Sequence, residues 1–211
     1  MKLPDATALG RRYARAATNT VVRRPRLWPV FRGLMRLQFD QLAPRWNAMR
    51  CPGHLAPFER ALEEVPAARR ALDLGTGTGA AAFAIARRFP EAEVTGVDLA
   101  EGMLAEARRN TPLELASRIE FRSADAARLP FEDGSFDLIA LANMIPFFDE
   151  LDRVLAPGGR VVFAFSAGPE TPIWVPTERL RAELSGRGFA DFADFHVEPG
   201  TAFLARKGDP G

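Results

Sequence analysis

The sequence is poor in residues that form crosslinks or that titrate near neutral pH. Its 211 residues include one cysteine, Cys51, together with one tyrosine and two histidines. An intramolecular disulfide is therefore excluded, and we expect a cytoplasmic protein. Cys51 is better explained as an incidental or buried residue than as a catalytic thiol. No apolar run reaches the roughly 18 residues that span a bilayer, and no signal-like apolar segment is visible near Met1.

The overall composition is that of a globular domain, but its charge is unevenly divided. Hydrophobic residues make up 47% of the chain and charged residues 26%, with a net charge of +1. Residues 1–60 hold 12 Lys and Arg against three Asp and Glu, whereas the remainder holds 16 against 24. We expect the basic segment either to lie on its own acidic domain or to meet an anionic partner.

The most informative stretch is Ala71–Ala86. A short apolar run ends in three alternate glycines, Gly75, Gly77 and Gly79, and then passes into an Ala-rich periodic segment. This pattern predicts a strand, a tight turn and a helix. Glycines allow a ligand to approach the backbone, and the free N–H groups of a first helical turn favour an electron-rich group. The sequence therefore predicts a cofactor-binding turn.

Two acidic residues narrow the choice of cofactor. Gly75, Gly77 and Ala80 also fit the loose dinucleotide fingerprint, which is a weak signal by itself. Asp73 stands two residues before the first glycine, where a carboxylate would repel a pyrophosphate and attract an ammonium group. Asp98 follows the next predicted strand, where Rossmann-type sites place the acid that binds a ribose. Together they favour a nucleoside cofactor that carries an amine.

Five motifs in order resemble those of class I S-adenosylmethionine (SAM)-dependent methyltransferases, over roughly residues 71–207. They are Asp73-x-Gly75-x-Gly77-x-Gly79, Val94–Asp98, Ser123–Ala126, Phe136–Ile139 and Leu155–Arg160. The resemblance implies an enzyme that binds S-adenosyl-L-methionine, releases S-adenosyl-L-homocysteine and methylates a small molecule. It implies no metal.

The resemblance also assigns the contacts to the nucleoside. Asp98 would bind both ribose hydroxyls. The Asp125 side chain would accept a hydrogen bond from the adenine amino group, and the Ala126 N–H would donate to the ring. Leu99 and Met103 would contact the adenine faces, although a methionine at helical spacing also suits a simple core position.

The remaining predicted cofactor contacts surround the amino-acid end of the cofactor. They comprise the acid, the turn and two polar side chains: Asp73, Gly75, Thr76, Gly77, Gly79 and Asn143. Asn143 is included because it stands just beyond the fourth predicted strand, over the expected reaction centre.

From residue 70 onward, strands and helices alternate, which predicts an α/β fold with a Rossmann-like, doubly wound, mostly parallel sheet of seven strands. The turn Glu198-Pro199-Gly200 predicts an antiparallel hairpin at the C-terminal edge. A helix is predicted at Ile145–Leu155, and Pro157-Gly158-Gly159 is predicted to end it.

We divide the chain into a basic helical lid (1–66), a methyltransferase core (67–207) and a tail (208–211). Arginines in the lid alternate with bulky apolar residues such as Trp28 and Leu34, a pattern typical of a lid or of an interfacial membrane helix. We favour the lid, because the short link after the fifth strand leaves the acceptor pocket unroofed. No nucleic-acid module is recognisable.

No residue is assigned as catalytic. His54, in a loop after Pro52, is a candidate base, and a structural role is the alternative. Methyl transfer from a sulfonium is an in-line displacement in which positioning supplies much of the rate, so a base is optional. Two other functions remain open: a non-catalytic SAM-binding scaffold or regulator, and an NAD-dependent Rossmann enzyme. The Tyr–Lys pair of short-chain reductases is absent, because Tyr13 is the only tyrosine and no lysine lies near it.

Overall fold

The computed structural model describes residues 6–50 and 52–209. Cys51, the first five residues of the predicted lid and residues 210–211 of the predicted tail therefore lie outside the described residues. The strands are β1 (Arg70–Leu74), β2 (Glu93–Asp98), β3 (Ile119–Ser123), β4 (Phe136–Ala142), β5 (Leu155–Phe165), β6 (Phe189–Val197) and β7 (Gly200–Lys207). The α-helices are α1 (Ala6–Arg23), α2 (Trp28–Trp46), α3 (Ala56–Glu63), α4 (Ala80–Arg88), α5 (Glu101–Asn110), α6 (Phe148–Val154) and α7 (Thr177–Ser185).

The strands form one sheet in the order β3-β2-β1-β4-β5-β7-β6. Strands β1 to β5 are parallel, and β7 runs antiparallel between β5 and β6. Val197 pairs with Gly200 across the predicted tight turn. The predicted seven-stranded sheet with a C-terminal hairpin is thus confirmed. Strand order reverses between β1 and β4, so the carboxyl ends of these strands open a crevice of the kind that binds ligands.

Two buried clusters lie on opposite faces of the sheet. Alternation along β1 sends Leu72 and Leu74 into one cluster and Ala71 into the other. The first cluster includes residues of α1, α2, α6 and α7, and the second includes residues of α3, α4 and α5. The result is a three-layer α/β/α arrangement.

The basic N-terminal helices pack on the first of these layers. Their buried residues include Ala17, Val21, Trp28 and Met35, all of which belong to the same cluster as the sheet. On the side of α1, the guanidinium of Arg15 donates hydrogen bonds to the carbonyls of residues 169 and 171, in the loop after β5. The division into residues 1–66, 67–207 and 208–211 stays a prediction, and α3 packs against β5 and β7 although it falls within 1–66.

The boundary between α6 and β5 differs from the prediction. The helix ends at Val154, and Leu155 is already extended and pairs with Phe136. Pro157-Gly158-Gly159 therefore does not cap a helix but lies within β5, beside a shift of register against β4. Gly158 takes a φ of 73° there. Glycine and proline mark a bulge in a strand as readily as a helix end, and the sequence pattern does not separate the two.

Candidate functional site

The turn between β1 and α4 needs its glycines. Gly75, Gly77 and Gly79 all have positive φ angles, of 73°, 52° and 89°. A Cβ atom on Gly75 would lie 2.6 Å from the sulfur of Met144, and one on Gly79 would lie 2.6 Å from the Phe83 ring. Both the conformation and the available space therefore exclude a side chain at these two positions.

Asp73 is fully buried beneath this turn. Its Oδ2 accepts hydrogen bonds from Thr76 Oγ1 (2.7 Å) and from the Ala82 N–H (2.9 Å). No donor among the described residues reaches its Oδ1. Burial raises the pKa of Asp73 to about 6, and the two hydrogen bonds oppose that rise. The unpaired oxygen can accept a hydrogen bond from an ammonium group, as predicted for this position. Thr76, a predicted ligand residue, positions Asp73.

Asp98 ends β2 and is bound by the backbone around it. Its Oδ2 accepts the Gly77 N–H and its Oδ1 accepts the Ala100 N–H, both at 2.9 Å. Burial raises the pKa of Asp98, and these backbone bonds oppose that rise. Each carboxylate oxygen has a further lone pair, so ribose hydroxyls can still donate to Asp98. The residue thus also fixes the middle of the glycine turn, a role that sequence spacing did not indicate.

Asp125, assigned to adenine, is contacted by the N-terminal helices. Its Oδ1 accepts from Trp28 Nε1 at 2.7 Å, and its Oδ2 accepts from Arg32 Nη1 at 2.9 Å. The next residue, Ala126, is buried. An adenine amino group would have to share or replace these donors. The contact joins residues about 95 positions apart, and nothing local in the sequence marks it.

Two predicted adenine contacts lie along the edge of α5. Leu99 is partly buried and packs against the first cluster. Met103 is buried with Ala43 of α2, and Phe39 and Trp46 pack against them. The structure thus places Met103 in the core beneath α2. A core position is the alternative to an adenine contact that the sequence analysis gave for this residue.

Asn143 follows β4 in an unusual conformation. It has a φ of 57°, a left-handed backbone that few residues other than glycine adopt and that asparagine tolerates best. Its side-chain Oδ1 accepts the Ser166 N–H at 3.0 Å, which joins the ends of β4 and β5. The next residue, Met144, covers Gly75. Asn143 therefore lies at the crevice between β1 and β4, as predicted.

Arg50 is a site residue that sequence analysis missed. Its Nη2 lies 3.5 Å from the position of a Cβ on Gly77, and Trp46 Nε1 lies 3.7 Å from the same point. The guanidinium stacks over the Trp46 ring at 5.7 Å. Burial lowers the pKa of Arg50, while the charge of Asp73 opposes that change. Within the described part of the chain, no carboxylate forms an ion pair with it. Only the fold distinguishes this arginine from ten others in residues 1–60.

His54 lies beside the start of α4. It lines a cavity of about 410 Å³ together with Arg50, Thr78, Phe83 and Asn110. Asn143 does not line this cavity, so the structure does not bring the candidate base to the end of β4. No group of three or more His, Cys, Asp and Glu within residues 6–50 and 52–209 could hold a metal ion. Across the same ranges, no helix is both long and apolar enough to cross a membrane.

Taken together, these residues fit a cofactor with an amino-acid end and a nucleoside end. Asp73 offers a carboxylate oxygen without a donor among the described residues, Arg50 offers a guanidinium near Gly77 without an ion pair to any of them, and Asp98 ends β2, where a ribose is expected. Such a pair of opposite charges complements the ammonium and carboxylate of an amino acid.

Comparisons with known proteins find methyltransferases. Residues 71–159 match the family model described as a methyltransferase domain. A demethylmenaquinone methyltransferase of Thermus thermophilus is 40% identical over 142 residues, which cover 59% of this chain and 62% of that protein. A malonyl-[acyl-carrier protein] O-methyltransferase of Geobacter sulfurreducens is 41% identical over 102 residues, covering 46% of this chain and 38% of that protein. The chain thus spans less than two thirds of each of these relatives.

A solved structure supports the fold. Phosphoethanolamine N-methyltransferase 2 of Haemonchus contortus, in complex with S-adenosyl-L-methionine, superposes with a TM-score of 0.61 at 21% identity. The superposition covers 74% of this chain and 52% of that one.

Proposed function

Because residues 71–159 belong to the methyltransferase-domain family and the chain has the class I SAM-dependent methyltransferase fold, we propose that the protein methylates a small molecule. Its methyl donor is S-adenosyl-L-methionine. The observation that carries the proposal is the pair formed by the unpaired oxygen of Asp73 and the unpaired guanidinium of Arg50 at the glycine turn.

Each end of the cofactor has residues suited to it. Asp73 accepts from the ammonium group and Arg50 binds the carboxylate, while Asp98 binds the ribose hydroxyls. Asp125 and the Ala126 N–H form hydrogen bonds with the adenine after Trp28 and Arg32 of α2 have moved away from Asp125. A dinucleotide fits poorly, because its pyrophosphate at the glycine turn would lie close to the buried carboxylate of Asp73. This argues against the NAD-dependent alternative.

The chemistry asked of the protein is mainly positioning. The bound cofactor supplies a methyl group on a positively charged sulfur, which passes to the acceptor and leaves S-adenosyl-L-homocysteine. A C–H, N–H or O–H acceptor loses its proton to solvent or to a base. We name no base, since His54, the candidate carried over from the sequence, lines a cavity to which Asn143 does not contribute.

Residues of the N-terminal segment roof the site, which supports its predicted role as a lid. Trp46 and Arg50 lie over Gly77, and Trp28 and Arg32 of α2 reach Asp125. Such a roof excludes water from the reacting centre. Opening of the contact between α2 and Asp125 would admit the nucleoside and free the Asp125 carboxylate for the adenine.

For the acceptor we propose a quinone ring of the kind named in the Thermus thermophilus relative, with a carrier-bound malonyl group as the second candidate. The first relative shares the longer aligned segment and the larger part of its own length with this chain. We propose no nucleic-acid partner. The cytoplasmic location expected from the sequence stays a prediction.

A transfer assay tests the proposal. The full-length chain is incubated with methyl-labelled S-adenosyl-L-methionine and either demethylated quinones or malonyl-loaded acyl carrier protein. We expect label in the quinone fraction. Binding of the cofactor without label transfer to any member of an acceptor panel would contradict the enzyme and favour the scaffold.

Two arginine variants separate the cofactor site from general charge effects. Arg50→Met removes the proposed carboxylate partner, and we expect cofactor affinity to fall about tenfold or more, as for loss of one charge-assisted hydrogen-bonded pair. Arg45→Met, on an exposed part of α2, is the matched control and should bind normally. Equal affinities of the two variants would show that Arg50 does not bind the carboxylate.

A further inference from the structure

The outer face of α2 exposes an apolar stripe. Val30, Leu34 and Leu37 are 73%, 54% and 52% exposed. Their spacing of four and three residues places them on one side of the helix, opposite the buried Trp28 and Met35. The inner face of α2 packs on the core, but its outer face also carries large apolar residues. Covering the proposed site does not explain these exposed apolar side chains.

The surroundings of this stripe are strongly basic. Exposed arginines without an ion pair to any described residue precede it in the chain or, in the case of Arg36, lie within it: Arg12, Arg23, Arg24, Arg26 and Arg36. The only acidic residue from position 6 to position 46 is Asp40, whose carboxylate accepts the Gly102 N–H at 2.8 Å and faces the core. Within residues 6–46, the exposed side therefore combines apolar side chains with positive charge that has no ion pair to a described residue, and these residues add no exposed acid to it.

Arg32 shows that the division between the two faces is specific. It lies among the unpaired arginines in sequence but on the inner side of α2, where it is paired with Asp125. Positive charge of the segment is thus neutralised by the acidic core only where it faces that core. The five exposed arginines named above make no ion pair with a described residue, so their charge can meet an anionic partner.

We propose that the outer face of α2, with the arginines around the α1–α2 connection, binds the surface of an anionic lipid bilayer. Apolar side chains would enter the boundary between headgroups and acyl chains, and the arginines would meet lipid phosphates. This inference goes beyond the proposed methyl transfer and does not depend on it. A quinone acceptor dissolved in the bilayer would then meet the protein at its lid.

Vesicle binding by the full-length chain is the test. We expect sedimentation with vesicles that contain phosphatidylglycerol, little sedimentation with pure phosphatidylcholine, and loss of binding in high salt. Val30→Glu with Leu34→Glu should weaken binding tenfold or more. The matched control is Leu113→Glu, because Leu113 is 93% exposed but lies outside the N-terminal helices.

The basic contribution is tested separately. Replacement of Arg23, Arg24 and Arg26 by Gln should weaken binding to anionic vesicles at least tenfold, whereas the same replacement of the exposed Arg69, Arg70 and Arg87 should not. Circular dichroism shows whether each variant is folded.

Three results would overturn the proposal. The first is absence of binding to anionic vesicles. The second is equal binding by the α2 variant and by Leu113→Glu. The third is a dimer in sedimentation analysis that Leu34→Glu converts to monomer without any change in vesicle binding, because the stripe would then be an interface between copies of the chain.

Discussion

At the scale of single residues, the proposed site depends on two carboxylates that each have two tasks. In our proposal Asp73 and Asp98 contact the cofactor, and each also accepts backbone hydrogen bonds, Asp98 from Gly77 and Ala100 and Asp73 from Ala82 of α4. Substitutions at these positions should therefore affect the stability of the ligand-free protein as well as cofactor binding.

Asp98→Ala removes the proposed ribose partner and the acceptor of the Gly77 N–H. We expect the affinity for S-adenosyl-L-methionine to fall at least tenfold, since charge-assisted hydrogen bonds are worth about 1.5–3 kcal/mol each. Calorimetric titration measures the loss. Asp149→Ala, at an exposed carboxylate on α6, is the control and should bind normally. Unchanged affinity in Asp98→Ala would show that the ribose is held elsewhere.

The raised pKa of Asp73 predicts a pH dependence of stability. Its folded-state pKa of about 6 lies above the unfolded value of about 3.9. The protonated form therefore favours the fold: this contribution is fully present below about pH 4 and is lost as the pH rises to about 6. In Asp73→Asn, the fall in unfolding free energy across this range should be smaller than in the unmodified chain. Equal slopes in urea titrations would contradict a raised pKa.

Cofactor binding should depend on the same group in the opposite sense. The ammonium of the cofactor favours ionised Asp73, so affinity should rise as the pH goes from 5 to 7 and level off above. Asp73→Asn should bind weakly with little dependence on pH in this range. A flat profile for the unmodified chain would argue that Asp73 does not contact the ammonium.

Some residues of the proposed site could be predicted from the sequence and others could not. The difference is whether a residue belongs to a recognisable short sequence motif or enters the site from a distant part of the chain. Gly75, Asp73 and Asp98 carry signals in the spacing of one βαβ unit, and the structure places them together. Arg50 and Trp28 enter the site from other elements, and their contacts depend on how α2 packs. Such contacts leave no trace in the local sequence.

At the scale of elements, the apolar segments that alternate with helices predicted the strands well, because each strand buries one or both of its faces. The prediction failed between α6 and β5, where Pro157 and Gly158 form an irregular start of a strand instead of a helix end. For α1 and α2 the sequence left a lid and a membrane helix as alternatives. The structure shows an inner face that packs on the sheet layer and an outer face that is exposed, so the two alternatives do not exclude each other.

Trp28→Ala tests whether α2 belongs to the folded core. The indole is buried, contacts Phe147 edge-to-face at 5.3 Å between ring centroids, and donates to Asp125. We expect a loss of about 3–5 kcal/mol in urea unfolding, the range for truncating a buried aromatic side chain. Arg36→Ala, on the exposed surface of the same helix, should change stability by less than about 0.5 kcal/mol. Similar small losses for both would mean that α2 packs only loosely on the sheet.

This packing also decides how the lid should be studied. Deletion of residues 1–36 would remove Ala17, Val21 and Trp28 from a cluster that they share with the sheet. A truncated chain would therefore combine loss of the lid with exposure of the core. Substitutions on the outer or inner face of α2 separate these effects.

At the scale of the whole molecule, the proposed cofactor site links the parts of the chain. In our proposal the glycine turn, the ends of β1 and β2, the loop after β3 and the N-terminal segment all contribute residues to it. A ligand that contacts all of them should bind only the folded state and should stabilise the molecule as a unit.

The most direct test of the central claim is the shift of the thermal unfolding midpoint by candidate cofactors. With S-adenosyl-L-methionine or S-adenosyl-L-homocysteine at about 100 times Kd, binding to the folded state alone adds about 2.7 kcal/mol of stability. For a chain of this length that corresponds to a rise of roughly 5–11 °C. NAD at the same concentration should produce no comparable rise. Stabilisation by NAD and not by either SAM-related ligand would contradict the account.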